Sequence, residues 1–244
     1  MQLLIDAGNT RIKWASLGGT GFVAGRSVPY AQWPDEIRAL LGAEPAPKAV
    51  WLASVAGAAV NAQIEDACHS LWGQPPRIVS SEACACGVRN AYARPTTLGV
   101  DRWLACIEGF HQGDGSVLVV DAGTALTLDF VTAEGRHLGG MIAPGVDTMR
   151  RSLRADTQLM PDATDSADFE LADNTASAIA AGTLAMAVAV VTQARARLQP
   201  ARCILTGGEA QRLAPALDPE WRLDTDLVLK GLARLVQSRV GTDG

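Results

Sequence analysis

The sequence gathers little positive charge in any one place. Its 21 Lys and Arg are outnumbered by 26 Asp and Glu, the net charge is −5, and no basic cluster stands out. A nucleic-acid binder would show a basic face, so no nucleic-acid partner is expected. No apolar run is read as long enough to span a bilayer, and no membrane partner is expected either. The first residues carry neither a basic region nor a signal-type apolar stretch, so a cytoplasmic location is expected. Cysteines are few. Cys68, Cys84, Cys86, Cys106 and Cys203 are odd in number and irregular in spacing, which suits a reduced compartment. Cys84-Ala85-Cys86 lacks the two-residue spacer of zinc sites, and the three histidines are scattered. Also absent are a Gly-x-Gly-x-x-Gly turn after a strand and a Gly-x-x-x-x-Gly-Lys-Ser/Thr loop. Those absences set aside a dinucleotide-dependent dehydrogenase and a P-loop kinase. No low-complexity segment interrupts the chain.

What is present is globular. Hydrophobic residues make up 48% and charged residues 19%, a balance that buries a core rather than leaving the chain disordered. With 244 residues there is material for one large or two small domains.

One stretch organises the rest. Val117, Leu118, Val119 and Val120 form a mostly β-branched run suited to a strand covered on both faces. It ends on Asp121, and Ala122-Gly123-Thr124 reads as a tight turn. Leu126, Leu128 and Phe130 then alternate with Thr127 and Asp129, the period of a half-buried strand. The same text opens the chain: Leu3-Leu4-Ile5 runs into Asp6-Ala7-Gly8-Asn9-Thr10, and Ile12, Trp14 and Ser16 carry it away. Two such hairpins imply a duplicated α/β fold with a cleft between halves. Their tips combine backbone N–H groups, hydroxyls and, at Lys13, a point charge, all suited to anions. Asp6 and Asp121 have the wrong sign for phosphate unless a cation lies between. Phosphate and cation on two hairpins is the layout of a phosphoryl-transfer site.

The remaining pattern supports α/β layers. A third strand is expected over Phe22–Val28, a short helix over Trp33–Leu41, and a buried strand over Ala49–Val55. A helix follows over Ala58–Trp72, then a strand over Arg77–Ser80. Residues 84–98 read as irregular, and a helix over Trp103–Phe110 begins beside Asp101, an acid that complements the helix dipole. Gly113-Asp114-Gly115 marks the expected boundary, giving halves 1–115 and 116–244. The second half should contain a strand from Leu138 into the Gly145 turn, a helix over Val146–Leu153 and a loop over 154–170. A largely buried helix over Thr175–Leu198, a strand over Cys203–Leu205 and a helix over Asp226–Val240 complete it.

Four motifs resemble one family. They are Asp6-Ala-Gly-Asn-Thr-Arg-Ile-Lys13, Gly99-Val-Asp-Arg102, Asp121-Ala-Gly-Thr-Ala-Leu-Thr-Leu-Asp129 and Gly139-Gly-Met-Ile-Ala-Pro-Gly145. In this order they are similar to the motifs of type III pantothenate kinases, in the superfamily of acetate and sugar kinases, a heat-shock chaperone ATPase and actin. Asn174-Thr175 and Thr206-Gly207-Gly208 fit as well, while Glu209 stands where the family more often has Asp. The resemblance implies a duplicated ribonuclease H-like (actin-like ATPase) fold, a homodimer, and ATP-dependent phosphorylation of pantothenate, the first step of coenzyme A biosynthesis. It also implies Mg2+ with ATP and a monovalent cation, K+ or NH4+.

The resemblance assigns roles by position. Asp6, Ala7, Gly8, Asn9, Thr10, Arg11, Ile12 and Lys13 would form the ATP-binding segment, Asp6 acting through a metal, with Thr124 reaching a phosphate. Asp101 would be the general base that takes the proton of the attacking hydroxyl. Arg102 would orient an anionic group. Tyr92, Gly99, Val100 and Thr175 would contact pantothenate, and Asp121 would ligate the monovalent cation. Gly139–Gly145 would serve the substrate pocket or the dimer interface. A rival is another small-molecule kinase of the superfamily. A second is a non-enzymatic regulator, since family members have also been named Bvg accessory factor; the intact Asp6, Lys13, Asp101 and Asp121 speak against it.

Overall fold

The computed structural model describes residues 1–33, 46–155 and 171–240. All but the first residue of the expected helix over Trp33–Leu41 and most of the expected loop over 154–170 lie outside them. The chain forms two compact units, one of Met1–Glu108 with Asp226–Gly244, the other of Gly109–Thr225. The expected boundary at 115/116 therefore differs from the observed division twice. The first crossing falls inside a helix, and the C-terminal helix belongs to the first unit.

In the first unit, β1 (Gln2–Ala7), β2 (Arg11–Gly18), β3 (Gly21–Pro29), β4 (Val50–Ser54) and β5 (Arg77–Val79) form one sheet of order β3-β2-β1-β4-β5. β1 pairs antiparallel with β2 and parallel with β4. Alternation sends Leu3, Ile5, Ala7, Ile12 and Trp14 into one core with Ile64 and Cys68 of α1 (Ala58–Trp72). Gly73 closes α1 in the left-handed conformation, as a glycine beyond a helix end is suited to do. Leu4 and Asp6 point the other way, because successive strand residues alternate. α6 (Leu227–Val240) lies against β1, β2 and β3. It crosses α2 (Val100–His111) at Gly231, where a side chain would run into the Leu104 backbone. Arg234 Nε donates to Glu108 Oε2 at 2.8 Å across the same pair of helices.

The second unit repeats the plan. β8 (Val117–Ala122), β9 (Ala125–Val131), β10 (His137–Pro144), β11 (Arg202–Thr206) and β12 (Arg222–Leu223) are ordered β10-β9-β8-β11-β12, again two antiparallel pairings followed by two parallel ones. Leu118, Val120, Leu126 and Leu128 pack on Leu184, Val188 and Val191 of α4 (Thr175–Leu198) and on Leu213 of the short α5 (Ala210–Leu213). α3 (Val146–Ala155) docks on α4 through Arg150, whose Nε donates to Thr183 Oγ1 at 3.2 Å. Asp129 and His137 form a buried pair at 2.9 Å where the β9–β10 register shifts.

Two expectations about α4 are corrected. It was expected to be largely buried, yet only one face enters the core and Met186 is 62% exposed. The reading that no apolar run could span a bilayer also fails on length and composition: α4 is the one described helix long and apolar enough. Its Leu184, Ala187, Val188, Val191 and Ala194 sit in the sheet core, which makes it a core helix. Residues 84–98 were expected to be irregular, but they contain a small hairpin of β6 (Cys84–Ala85) and β7 (Val88–Arg89). Its turn places Cys86 at φ 46 and Gly87 at φ 77, the pair of positive angles that a two-residue hairpin favours.

Candidate active site

The tip of β1–β2 is held by its own backbone. Gly8 N donates to Arg11 O at 3.1 Å, and Val55 N, just past β4, donates to Ala7 O at 3.0 Å. Asn9 and Thr10 are exposed at the tip. Asp6 and Lys13 are directly opposed in the β1–β2 register, so both side chains lie on one face of the sheet. Asp6 is buried and Lys13 half-buried. A buried carboxylate beside an ammonium, at the carboxyl end of a parallel pair, is where open α/β sheets bind ligands. Ala7 and Ile12 are core residues, so only their backbones face the tip. Arg11 is turned to β3, its Nε donating to Ser27 Oγ at 3.0 Å and a terminal nitrogen to Ser27 O at 2.8 Å.

Asp101 enters the same neighbourhood from α2. It sits in the first turn, and its Oδ1 accepts the Arg102 N–H at 2.8 Å. A Cβ at Gly99 would meet that Oδ1 at 2.5 Å and Val55 Cγ1 at 3.8 Å. So Gly99 is required for the carboxylate to fold back over its own helix start, close to the end of β4. Arg102 is buried, and its terminal nitrogen donates to Tyr92 Oη at 3.2 Å. Tyr92 is in turn tethered through its N–H to Asn90 Oδ1 at 2.9 Å. The structure thus brings Tyr92, Gly99, Asp101 and Arg102 together, with Val100 buried beneath them.

The second unit carries the other tip. Gly123 N donates to Ala125 O at 3.0 Å, and Glu209 N donates to Ala122 O at 2.8 Å, the counterparts of the two bonds in the first unit. The turn is one residue shorter: Ala7 pairs with Ile12, but Ala122 pairs with Leu126. Thr124 O accepts from Gly145 N at 3.0 Å and from Thr148 Oγ1 at 2.7 Å. Asp121 faces Thr127 across the sheet instead of a lysine, so this copy lacks the charge pair of the first. Its Oδ1 and the Ala122 carbonyl both line the space where a Cβ at Gly207 would fall. Gly207 itself has φ +99, a conformation that favours glycine. The two oxygens press so closely on Gly207 that no side chain fits there. Thr175 is exposed at the first residue of α4, where Asn174 caps the helix by accepting from Ser177 N.

A family model described as type III pantothenate kinase matches residues 2–197. Proteins of that name align over nearly the whole chain. One from Aromatoleum aromaticum is 41% identical over 239 residues, covering 96% of each chain. One from Burkholderia mallei is 39% identical over 262 residues, covering 98% of this chain and 100% of its own. The chain belongs to the type III pantothenate kinase family. It is therefore a kinase, an enzyme that transfers phosphate to an alcohol group. Solved structures agree on the fold. A protein from Campylobacter jejuni named for the Baf family of transcriptional activators superposes with a TM-score of 0.65 at 20% identity, covering 98% of this chain and 99% of its own. Component A of (R)-2-hydroxyglutaryl-CoA dehydratase from Acidaminococcus fermentans gives 0.54 at 15% identity, covering 100% and 99%. The duplicated sheet is that of the actin-like ATPases.

Within this type III pantothenate kinase, Tyr30, Asp147, Thr148 and Arg212 at the tips escaped the sequence reading. Tyr30 donates its hydroxyl to Gly8 O. Burial, and secondarily the charge of Asp6, push that phenol up to about 12. Glu209 and Arg212 form an ion pair at 3.3 Å, with Asp147 at 3.1 Å from the same guanidinium. Glu209 and Arg212 also line a small recess with Ala122, Gly123, Leu126 and Gly145. The only signal for Tyr30 and Thr148 was positional: each follows a third strand that ends in proline, at Pro29 and Pro144.

Proposed function

We propose that Asp101 is the general base of this kinase. The reaction is transfer of the γ-phosphoryl group of ATP to the primary hydroxyl of pantothenate, giving 4′-phosphopantothenate at the first step of coenzyme A biosynthesis. The attacking hydroxyl must shed its proton as the new P–O bond forms, and a fixed carboxylate can accept it. The observation that carries this reading is the Gly99–Arg102 turn. It presents Asp101 beside the carboxyl ends of β1 and β4 and binds Arg102 to Tyr92. Arg102 then suits the pantothenate carboxylate, because a guanidinium donates to a carboxylate in a fork.

In the same reading the Asp6–Lys13 tip takes the ATP phosphates. Thr10 and Thr124 add hydroxyl donors, and Thr175 contacts pantothenate. ATP comes with a divalent cation, Mg2+, which would be held near Asp6 and would neutralise charge on the transferred group. K+ or NH4+ would sit at Asp121, because hard cations take carboxylate oxygen. A homodimer belongs to this reading too. It is supported by exposed apolar residues on the second unit: Leu138, Met141 and Ile142 on β10 and Met186 on α4.

The test is ADP release with and without pantothenate, in potassium and in sodium, for the wild type and Asp101→Asn. Turnover should fall by a factor of about 100 to 10,000 in the variant, the usual contribution of a placed base. Nucleotide binding by calorimetry should persist, because the hairpin residues are untouched. The wild type should slow strongly in sodium. Near-normal turnover in Asp101→Asn would remove Asp101 from the chemistry, and equal wild-type rates in both salts would remove the monovalent site.

A further inference from the structure

We infer that Tyr30 is a positioning residue for the nucleotide-phosphate tip: its hydroxyl, bonded to the Gly8 carbonyl, sets the direction in which the tip presents its backbone donors. The argument starts from the planarity of the peptide unit. The Gly8 carbonyl and the Asn9 N–H belong to one rigid plane and point in opposite directions. Holding the oxygen therefore aims the Asn9 N–H. At an exposed glycine turn nothing else about the residue type would fix that plane, since glycine tolerates a wide range of backbone angles.

The duplication supplies a related clamp one residue further along the turn, since the counterpart of Gly8 in the second hairpin is Gly123. In the second unit the carbonyl at the tip is that of Thr124, and it is held by two donors, Gly145 N at 3.0 Å and Thr148 Oγ1 at 2.7 Å. Both clamps come from the same place in the fold. β3 ends at Pro29 and is followed by Tyr30, while β10 ends at Pro144 and is followed by Gly145 and α3. Gly145 also approaches so closely that a side chain there would run into the Gly123 carbonyl. The two units share no residue identity at these positions and use different donors, a phenol in one and a backbone amide plus a threonine in the other. What they share is a carbonyl at the tip, fixed from the residues after the third strand.

Tyr30 is suited to the part. Its ring packs on the core containing Ile12, Trp14 and Trp33, which fixes the phenol in place. Its hydroxyl remains protonated at every working pH, because burial and the Asp6 charge raise its ionisation to about 12. It can thus only lose its role by substitution.

The inference rests on the reading of residues 8–13 as the phosphate-binding segment, so the experiment carries a control for that reading. Steady-state kinetics are measured on the full chain for the wild type, Tyr30→Phe and Lys13→Ala, with KM determined separately for ATP and pantothenate. Thermal midpoints are recorded for each. Tyr30→Phe keeps the ring and its packing and removes one hydrogen bond. It should raise the KM for ATP by about fivefold, the effect of losing one ordinary hydrogen bond, while the KM for pantothenate stays the same. Calorimetry with a non-hydrolysable ATP analogue should show the same weakening. If Lys13→Ala raises the KM for ATP and Tyr30→Phe does not, the phosphate reading stands and the inference is overturned. If Tyr30→Phe lowers the thermal midpoint and worsens both substrates alike, the hydroxyl serves the fold only, and the inference is again overturned. If Lys13→Ala leaves the KM for ATP unchanged, the phosphate reading fails and takes the inference with it.

Discussion

Tyr30 shows how one side chain links stability to proton concentration. Its phenol ordinarily ionises near 10 and here near 12, raised first by burial and then by Asp6. The sign follows from which form the fold prefers. The folded state holds the proton more tightly than the unfolded chain, so the stabilising contribution is complete below pH 10. It is lost as pH climbs through 12, where the folded phenol also ionises. The thermal midpoint of the wild type should therefore drop more steeply across that window than the midpoint of Tyr30→Phe. Parallel curves would show that the phenol does not carry this linkage. Asp101 and Arg102 illustrate another residue-scale point. Their neighbours in sequence, Gly99 and Val100, supply space and burial.

Among elements, the turn from β11 into α5 has the sharpest requirement. Gly207 holds φ +99, and any Cβ would strike both Asp121 Oδ1 and the Ala122 carbonyl. Gly208 has open space and an ordinary φ. Gly207→Ala should lower the thermal midpoint and abolish the advantage of potassium over sodium, whereas Gly208→Ala should change neither. Differential scanning calorimetry together with rates in the two salts separates them; an unaffected Gly207→Ala would mean that the close approach of Gly207 to Asp121 is not needed. The elements that were legible in the sequence were those with a clean period. The hairpins at Asp6 and Asp121 follow from alternation and a glycine turn, and α1 matches its expected bounds from Ala58 to Trp72. The missed elements were short or atypical. β6–β7 has two-residue strands and a Cys86-Gly87 turn, where Asn-Gly is the usual signature. β12 spans only Arg222–Leu223 and carries no period at all. For α4, composition suggested burial on every side, but a single sheet can cover only one face of a helix. Among site residues, Asp101 and Arg102 were readable as a motif. Tyr30 was not, because its contact with Gly8 joins residues 22 apart through a third strand.

At the level of the whole molecule, the duplication is one of topology more than of sequence. Both sheets run two antiparallel pairings and then two parallel ones, and both hairpin tips are closed by equivalent backbone bonds. Yet the first tip is a residue longer and carries Lys13, while the second is pressed against Gly207. The exposed apolar residues of β10 and α4 lead to an expectation about assembly. Light scattering at working concentration should give twice the mass of the chain, and Met186→Glu should shift it toward the single chain. A fully active protein of single-chain mass would contradict this.

The helix Leu227–Val240 completes the first unit although it is made after the whole of the second. On the ribosome, then, the order of synthesis and the order of completion differ. β1 to β5 and α1 emerge early, but the face of the sheet that carries Leu4 and Asp6 lacks this cover until translation has passed residue 225. The intervening unit, being one continuous stretch, can close first. The β1–β2 tip, made before the second unit, is therefore among the last parts of the enzyme to acquire its full surroundings.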